Sequence, residues 1–187
     1  MGDYYDMDEI MMEEELVSVV FQKAANGVVQ IDPSAETNTV EPGSKVELPF
    51  WLAQELHMRQ AVSINVPSCF DQKTRKEIQA DVSCVDLRSR CPYFYELGCK
   101  IAPLIGEKTI GALLLYAFKC RYKDILIKGH NASSVALKSA SLLTKEESGL
   151  YEAARSSMTA FKKWRMGGAR YQRATILGKK RKSDECT

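Results

Sequence analysis

The chain predicts a mainly α-helical protein: a small, strand-rich α+β domain at the N-terminus, then a helical-bundle domain. Three observations lead there. In residues 1–67, short runs alternate apolar and polar side chains and are punctuated by Asn26-Gly27, Pro33, Pro42, Pro49 and Pro67, the pattern of brief strands and turns. Beyond residue 68 the apolar spacing lengthens to about 3.6, and the apolar stripes become broad. The net charge of +2 also hides a division, with 16 acidic and 8 basic side chains in residues 1–90 against 8 and 18 in residues 91–187. The two ends therefore suit different surfaces. At 187 residues, 45% hydrophobic and 27% charged, the composition is that of an ordinary globular chain. The expected division is residues 1–67, 68–168, and a basic, flexible tail at 169–187.

In chain order, residues 1–15 carry seven carboxylates and no basic residue. Met7, Ile10 and Met11 recur at helical intervals, so this stretch is either a short helix docking that apolar stripe or disordered. Residues 16–22 alternate as a strand, with Val17, Val19 and Phe21 on one face. Asn26-Gly27 is a hairpin signal that would return residues 28–31 as its partner. Residues 33–42 read as a polar loop. Residues 45–48 form a third strand that must stop at Pro49, which cannot donate to a ladder. A proline near a helix start is well placed, and Trp51, Leu52, Glu55 and Leu56 follow at helical spacing. Leu48, Pro49, Trp51 and Leu52 thus form a strand-to-helix corner, with Trp51 expected in the core as the anchor. Residues 62–66 give a fourth strand before Pro67.

In the second part, residues 71–81 predict a partly exposed helix held by Ile78. Pro92 opens a helical segment through Phe94, Leu97, Ile101, Ala102 and Ile105, which Pro103 should kink or end. From Gly106, a wide stripe of Ile110, Leu113, Leu114, Ala117, Phe118, Tyr122, Ile125 and Leu126 runs until Gly129 stops it. A last helix begins at a capping box, Thr144-Lys145-Glu146-Glu147, and presents Leu150, Tyr151, Ala154, Met158, Phe161 and Trp164 before Gly167-Gly168.

The run Ser44-Lys45-Val46-Glu47-Leu48-Pro49-Phe50-Trp51-Leu52-Ala53 resembles the signature of the Psf-three family of GINS subunits, members of a four-subunit replication assembly. The resemblance extends to Tyr4-Tyr5-Asp6, to Ala80-Asp81 with Val85-Asp86-Leu87, to Phe94-Tyr95 with Gly98, and to Phe161 with Trp164, in the same order. It is weakest over residues 33–42 and 131–143, and the connector before Thr144 is short for the family. It implies a non-enzymatic subunit packed with three sister subunits. Through them it would join the MCM ring and the Cdc-forty-five protein in the replicative helicase, with ATP hydrolysis left to the ring.

The residues themselves point away from catalysis. No Gly-rich phosphate loop, His-Glu-x-x-His pair or Gly-x-Ser-x-Gly elbow occurs, and His57 and His130 are the only histidines. Six cysteines without a Cys-x-x-Cys spacing read as reduced, mostly buried thiols rather than zinc ligands, so no metal or cofactor is expected. No apolar run reaches 18 residues, and the acidic start is unlike a secretion signal, so an intracellular protein is expected.

Two functions fit. The broad stripes need a neighbour to cover them, and Phe94, Phe118, Tyr122, Phe161 and Trp164 are residue types that dominate such contacts, though each can equally fill the chain's own core. The alternative is an independent nucleic-acid-binding module using the basic C-terminal end, where Lys162, Lys163, Arg165, Arg170 and Arg173 surround Trp164 and Tyr171. Lys179, Lys180, Arg181 and Lys182 read as a nuclear import tag, or else as a solubilising tail.

Overall fold

Strand β1 (Leu16–Phe21) is the centre of the N-terminal part, and its alternation is a burial pattern: Val17, Val19 and Phe21 point into the core while Leu16 stays exposed. The computed structural model of the chain describes residues 6–26, 39–131 and 142–166. Within them β1 is flanked on both sides by antiparallel partners. Val17 stands opposite Leu48 of β4 (Lys45–Pro49), and Val19 opposite Ile64 of β5 (Val62–Ile64), giving the order β4-β1-β5.

The hairpin expectation is corrected here. Both edges of β1 are taken by distant strands, and Asn26 belongs to a two-residue strand, β2 (Ala25–Asn26), paired with β3 (Thr39–Val40). Residues 28–31 lie outside the described residues. An Asn-Gly signal is local, whereas β4 and β5 each bring buried apolar side chains to the core, and that burial sets the pairing.

β4 passes directly into α2 (Phe50–Met58), with Pro49 as its N-cap residue at φ −55. The Phe50 amide donates to the Glu15 carbonyl at 2.9 Å, tying the start of α2 to the residue just before β1. Phe50 and Ala53 are fully buried and Leu52 partly so, whereas Trp51 is 45% exposed. The expected anchor is thus displaced by one residue. The inward face is the stripe of Phe50, Ala53 and Leu56, which includes a small alanine that the larger Trp51 hid in the pattern.

Helix α1 (Met7–Glu13) is capped by Asp6, whose side chain accepts from the Asp8 amide at 3.0 Å. It docks through Met12 and not through Met7, Ile10 and Met11, which are exposed. Glu9 and Glu13, one turn apart, both reach Lys100 at 3.1 Å. That lysine turns the acidic face inward.

A 3-10 turn (Ser68–Phe70) inserts Cys69 and Phe70 into the core, and α3 (Gln72–Ala80) follows, capped by Asp71 and held by fully buried Ile78. The short α4 (Leu87–Arg90) leads to α5 (Phe94–Ile105). Pro103 lies in the last turn of α5, and the helix runs two residues past it to Gly106, which closes it at φ 73. Gly106 therefore ends α5 rather than opening the next helix, because only a left-handed residue completes that cap at little cost.

Helix α6 (Lys108–His130) continues through Gly129. A Cβ there would fall 2.8 Å from that of Ala154, so this glycine permits a close approach of α7 (Lys145–Arg165) and is not a stop. The main core is continuous from Met12 to Ala117 across both parts of the chain, and a smaller cluster of Ile125, Leu143 and Tyr151 lies between α6 and α7. Among the described residues no helix is long and apolar enough to cross a membrane.

Candidate subunit interface

The wide stripe of α6 divides into two. Ile110, Leu113, Leu114, Ala117 and Ile125 face the core, while Leu115, Phe118 and Tyr122, spaced three and four apart, remain exposed. Phe118, 42% exposed, meets the Tyr95 ring edge-on at 5.8 Å and the Tyr122 ring at 5.4 Å. With Tyr95, Cys99 and Ala102 of α5, Leu115 and Phe118 wall an open apolar groove of about 480 Å³. On the other side of α6, Ala112, Leu113 and Tyr116 line a second groove of about 540 Å³ against Arg75 and Gln79 of α3. The first half of α6 is thus a ridge between two grooves. Single exposed apolar residues are ordinary, but contiguous aromatic and aliphatic surface is the mark of an interaction face.

A buried ion pair holds the end of the first groove. Arg121 donates from Nε and Nη2 to the two oxygens of Glu147 at 2.6 and 2.8 Å, from Nη1 to the carbonyls of Val82 and Val85 at 2.9 and 3.0 Å, and from Nη2 to the Leu142 carbonyl at 3.4 Å. All five guanidinium donors are used, as a buried arginine requires. Glu147 also accepts from the Tyr95 hydroxyl at 2.8 Å and the Thr144 amide at 3.2 Å, the latter completing the capping box. Burial first, and then the Glu147 carboxylate, push the Tyr95 phenol well above its ordinary pKa, so it stays a donor. Next to this pair, Glu146 Oε1 accepts from the amides of Tyr95 and Glu96 at 3.1 and 3.0 Å, capping α5 from another helix. Its Oε2 is buried without a partner. The other buried polar side-chain atom left unpaired among the described residues is His57 Nδ1.

The aromatics expected at an interface are distributed unevenly. Phe94 is fully buried in the chain's own core, 5.0 Å from the Phe70 ring, and that expectation is corrected: as the first residue of α5 it fills the space beneath the 3-10 turn. Phe118 and Tyr122 stand together on α6. Phe161 and Trp164, 50% and 75% exposed, form a separate ring pair at 5.8 Å near the end of α7. Of the corner residues, Leu48 is buried, Pro49 and Leu52 are half-buried and Trp51 is exposed. Lys179, Lys180, Arg181 and Lys182 lie outside the described residues. Of the five cysteines described, Cys69 and Cys91 are buried but Cys84, Cys99 and Cys120 are exposed, against the expectation of mostly buried thiols.

Sequence reasoning missed Leu115, Tyr116, Arg121 and Glu146. Arg121 had a signal: it occupies the core phase of α6 between Ala117 and Ile125, where a charge requires a buried partner. Leu115 sits one turn before Phe118 on the same face. Among the described residues no group of three His, Cys, Asp or Glu side chains converges as a metal site would. What the arrangement can do is receive an apolar helix.

Residues 5–58 match a family model described as PSF3 N-terminal domain, and residues 69–166 match one described as GINS complex protein helical bundle domain. A protein of Phaeosphaeria nodorum named DNA replication complex GINS protein PSF3 is 30% identical over 173 residues, covering 88% of this chain and 96% of its own. The Homo sapiens protein of that name is 29% identical over 89% of this chain and 82% of its own. The Xenopus laevis one is 25% identical over 98% and 91%.

Proposed function

The chain belongs to the PSF3 family of GINS complex proteins, and from that premise we propose that it is a non-catalytic subunit of a four-membered GINS assembly in DNA replication. The observation that carries this reading is the exposed stripe of Leu115, Phe118 and Tyr122 with the apolar groove beside it. Water in contact with such a surface is unfavourable, and a sister helix laid along it removes that contact. Residues 68–168 act as the assembling unit, residues 1–67 as the smaller domain seated on it, and the tail from residue 169 as a carrier of the import signal.

Within the replicative helicase the assembled complex works as a rigid scaffold joining the MCM ring and the Cdc-forty-five protein, and its place of work is the nucleus. Changing Lys179, Lys180, Arg181 and Lys182 to alanine leaves the fold intact and strands the protein in the cytoplasm; nuclear accumulation of that variant removes the import signal from the account.

The deciding experiment is expression of the chain alone and together with its three sister subunits, with mass measured by light scattering. The wild type enters a complex of one copy each, and Phe118→Asp does not, although its circular dichroism is unchanged. A wild-type chain that stays monomeric beside the sisters refutes the proposal. A second reading, an independent nucleic-acid-binding module, is favoured by one feature: Lys162, Lys163 and Arg165 surround exposed Trp164 on the last turns of α7. Retention of the isolated chain on single-stranded DNA, weakening steeply with salt, would support it.

A further inference from the structure

We propose that the groove between α5 and α6 accepts its partner helix in one polarity only, with an Arg or Lys of that helix placed against Glu146 and Glu96 at the end nearest α7. This rests on the assembly reading above and names the chemistry of the partner at the same site.

The groove is about two helical turns long, from Gly111 to Phe118, and its floor and walls are apolar along that length. Its two ends differ in charge. At the α7 end, Glu146 lines the groove with one carboxylate oxygen capping α5 and the other buried without a donor. An unmatched buried acceptor retains its desolvation cost until a donor reaches it. Neither Glu146 nor Glu96 forms an ion pair among the described residues; Arg121 is committed to Glu147, and Lys100 to Glu9 and Glu13. Burial raises the Glu96 carboxyl; the Lys100 ammonium opposes that rise, and the carboxylates of Glu146, Glu9 and Asp6 add to it. At the opposite end Lys108 opens α6, and Glu107 is already paired with Arg75 at 2.8 Å.

A helix with aliphatic or aromatic side chains at i, i+3 or i+4, and i+7 fills the apolar length. A cation one turn further on meets Glu146 and Glu96 in one direction of entry and Lys108 in the other. Matching charges favour the first and penalise the second.

The test is titration of the full chain against the co-purified complex of its three sister subunits at several salt concentrations. Glu146→Gln keeps an oxygen for the amides of Tyr95 and Glu96 and removes the charge, so combined with Glu96→Gln it preserves the fold, which circular dichroism checks. The double variant is expected to bind at least tenfold more weakly with a flatter salt dependence. Wild-type affinity and salt dependence in the double variant, with Phe118→Asp still unable to bind, overturn the inference while leaving the assembly reading standing. If Phe118→Asp binds as the wild type does, both fall. A photo-crosslinker on Cys99, in a chain whose Cys84, Cys120 and Cys186 are serine, supplies a second readout. It should map to a helix bearing Arg or Lys beside its apolar stripe, and mapping to an acidic segment refutes the proposal.

Discussion

Residues 144–154 and residues 155–166 share one helix and one pattern, apolar side chains at three- and four-residue spacing among charges, yet the first stretch is clasped and the second is bare. Thr144, Glu147, Tyr151 and Ala154 are buried; beyond them only Met158 is partly covered, and Phe161, Trp164 and Met166 are exposed. The cause lies in the neighbour. Arg121 stands beside Glu147 and Gly129 beside Ala154, so α6 and α7 advance side by side in the same direction until α6 ends at His130. The last eleven residues of α7 project roughly 16 Å past that point. A periodic stripe specifies that a helix face wants to be covered. The length of the neighbouring helix decides whether this chain covers it.

Four variants test that contrast. Arg121→Ala strips the partner from buried Glu147 and is expected to cost about 3–5 kcal/mol in chemical denaturation, because an unpaired buried carboxylate remains. A loss below about 1 kcal/mol would mean that the clasp is not held by this pair. Gly129→Ala drives a methyl group into Ala154 and the Tyr151 carbonyl, and should lower stability by about 1–3 kcal/mol despite alanine's better helix propensity. Thr144→Ala removes half of the capping box, with an expected loss of about 1 kcal/mol and faster amide exchange in the first turn of α7. Replacing Phe161 and Trp164 together by alanine should change the stability of the isolated chain by no more than about 0.5 kcal/mol, since neither contributes to its core. A fall of 2 kcal/mol there would erase the contrast between the two stretches.

The same division appears at Phe50 and Trp51. The switch from strand to helix at Pro49 was legible, since a two-residue period followed by a 3.6-residue period leaves little choice of secondary structure. Which aromatic anchors the helix was not, because pattern reading weights the largest side chain, and the inward face was marked by a modest Phe and a small Ala. In the candidate interface, Phe118 and Tyr122 were legible as parts of a stripe too wide to be buried entirely. Phe94 was not separable from them, having the same residue type and spacing. Only the position of the Phe70 ring distinguishes it.

Local spacing along the chain specified strands β1, β4 and β5, the longer helices, the capping box that starts α7, and an amount of apolar helix surface that invites a neighbour. These follow from interactions within a few residues, where spacing and side-chain chemistry act directly. Tertiary structure alone decided the placement of β1 between β4 and β5, the burial of Arg121 on Glu147, the carboxylates at one end of the groove and which stripes are left open. Those depend on pairs as distant as Tyr95 and Glu147, whose meeting is set by the way whole elements fill space together, and no local pattern records it.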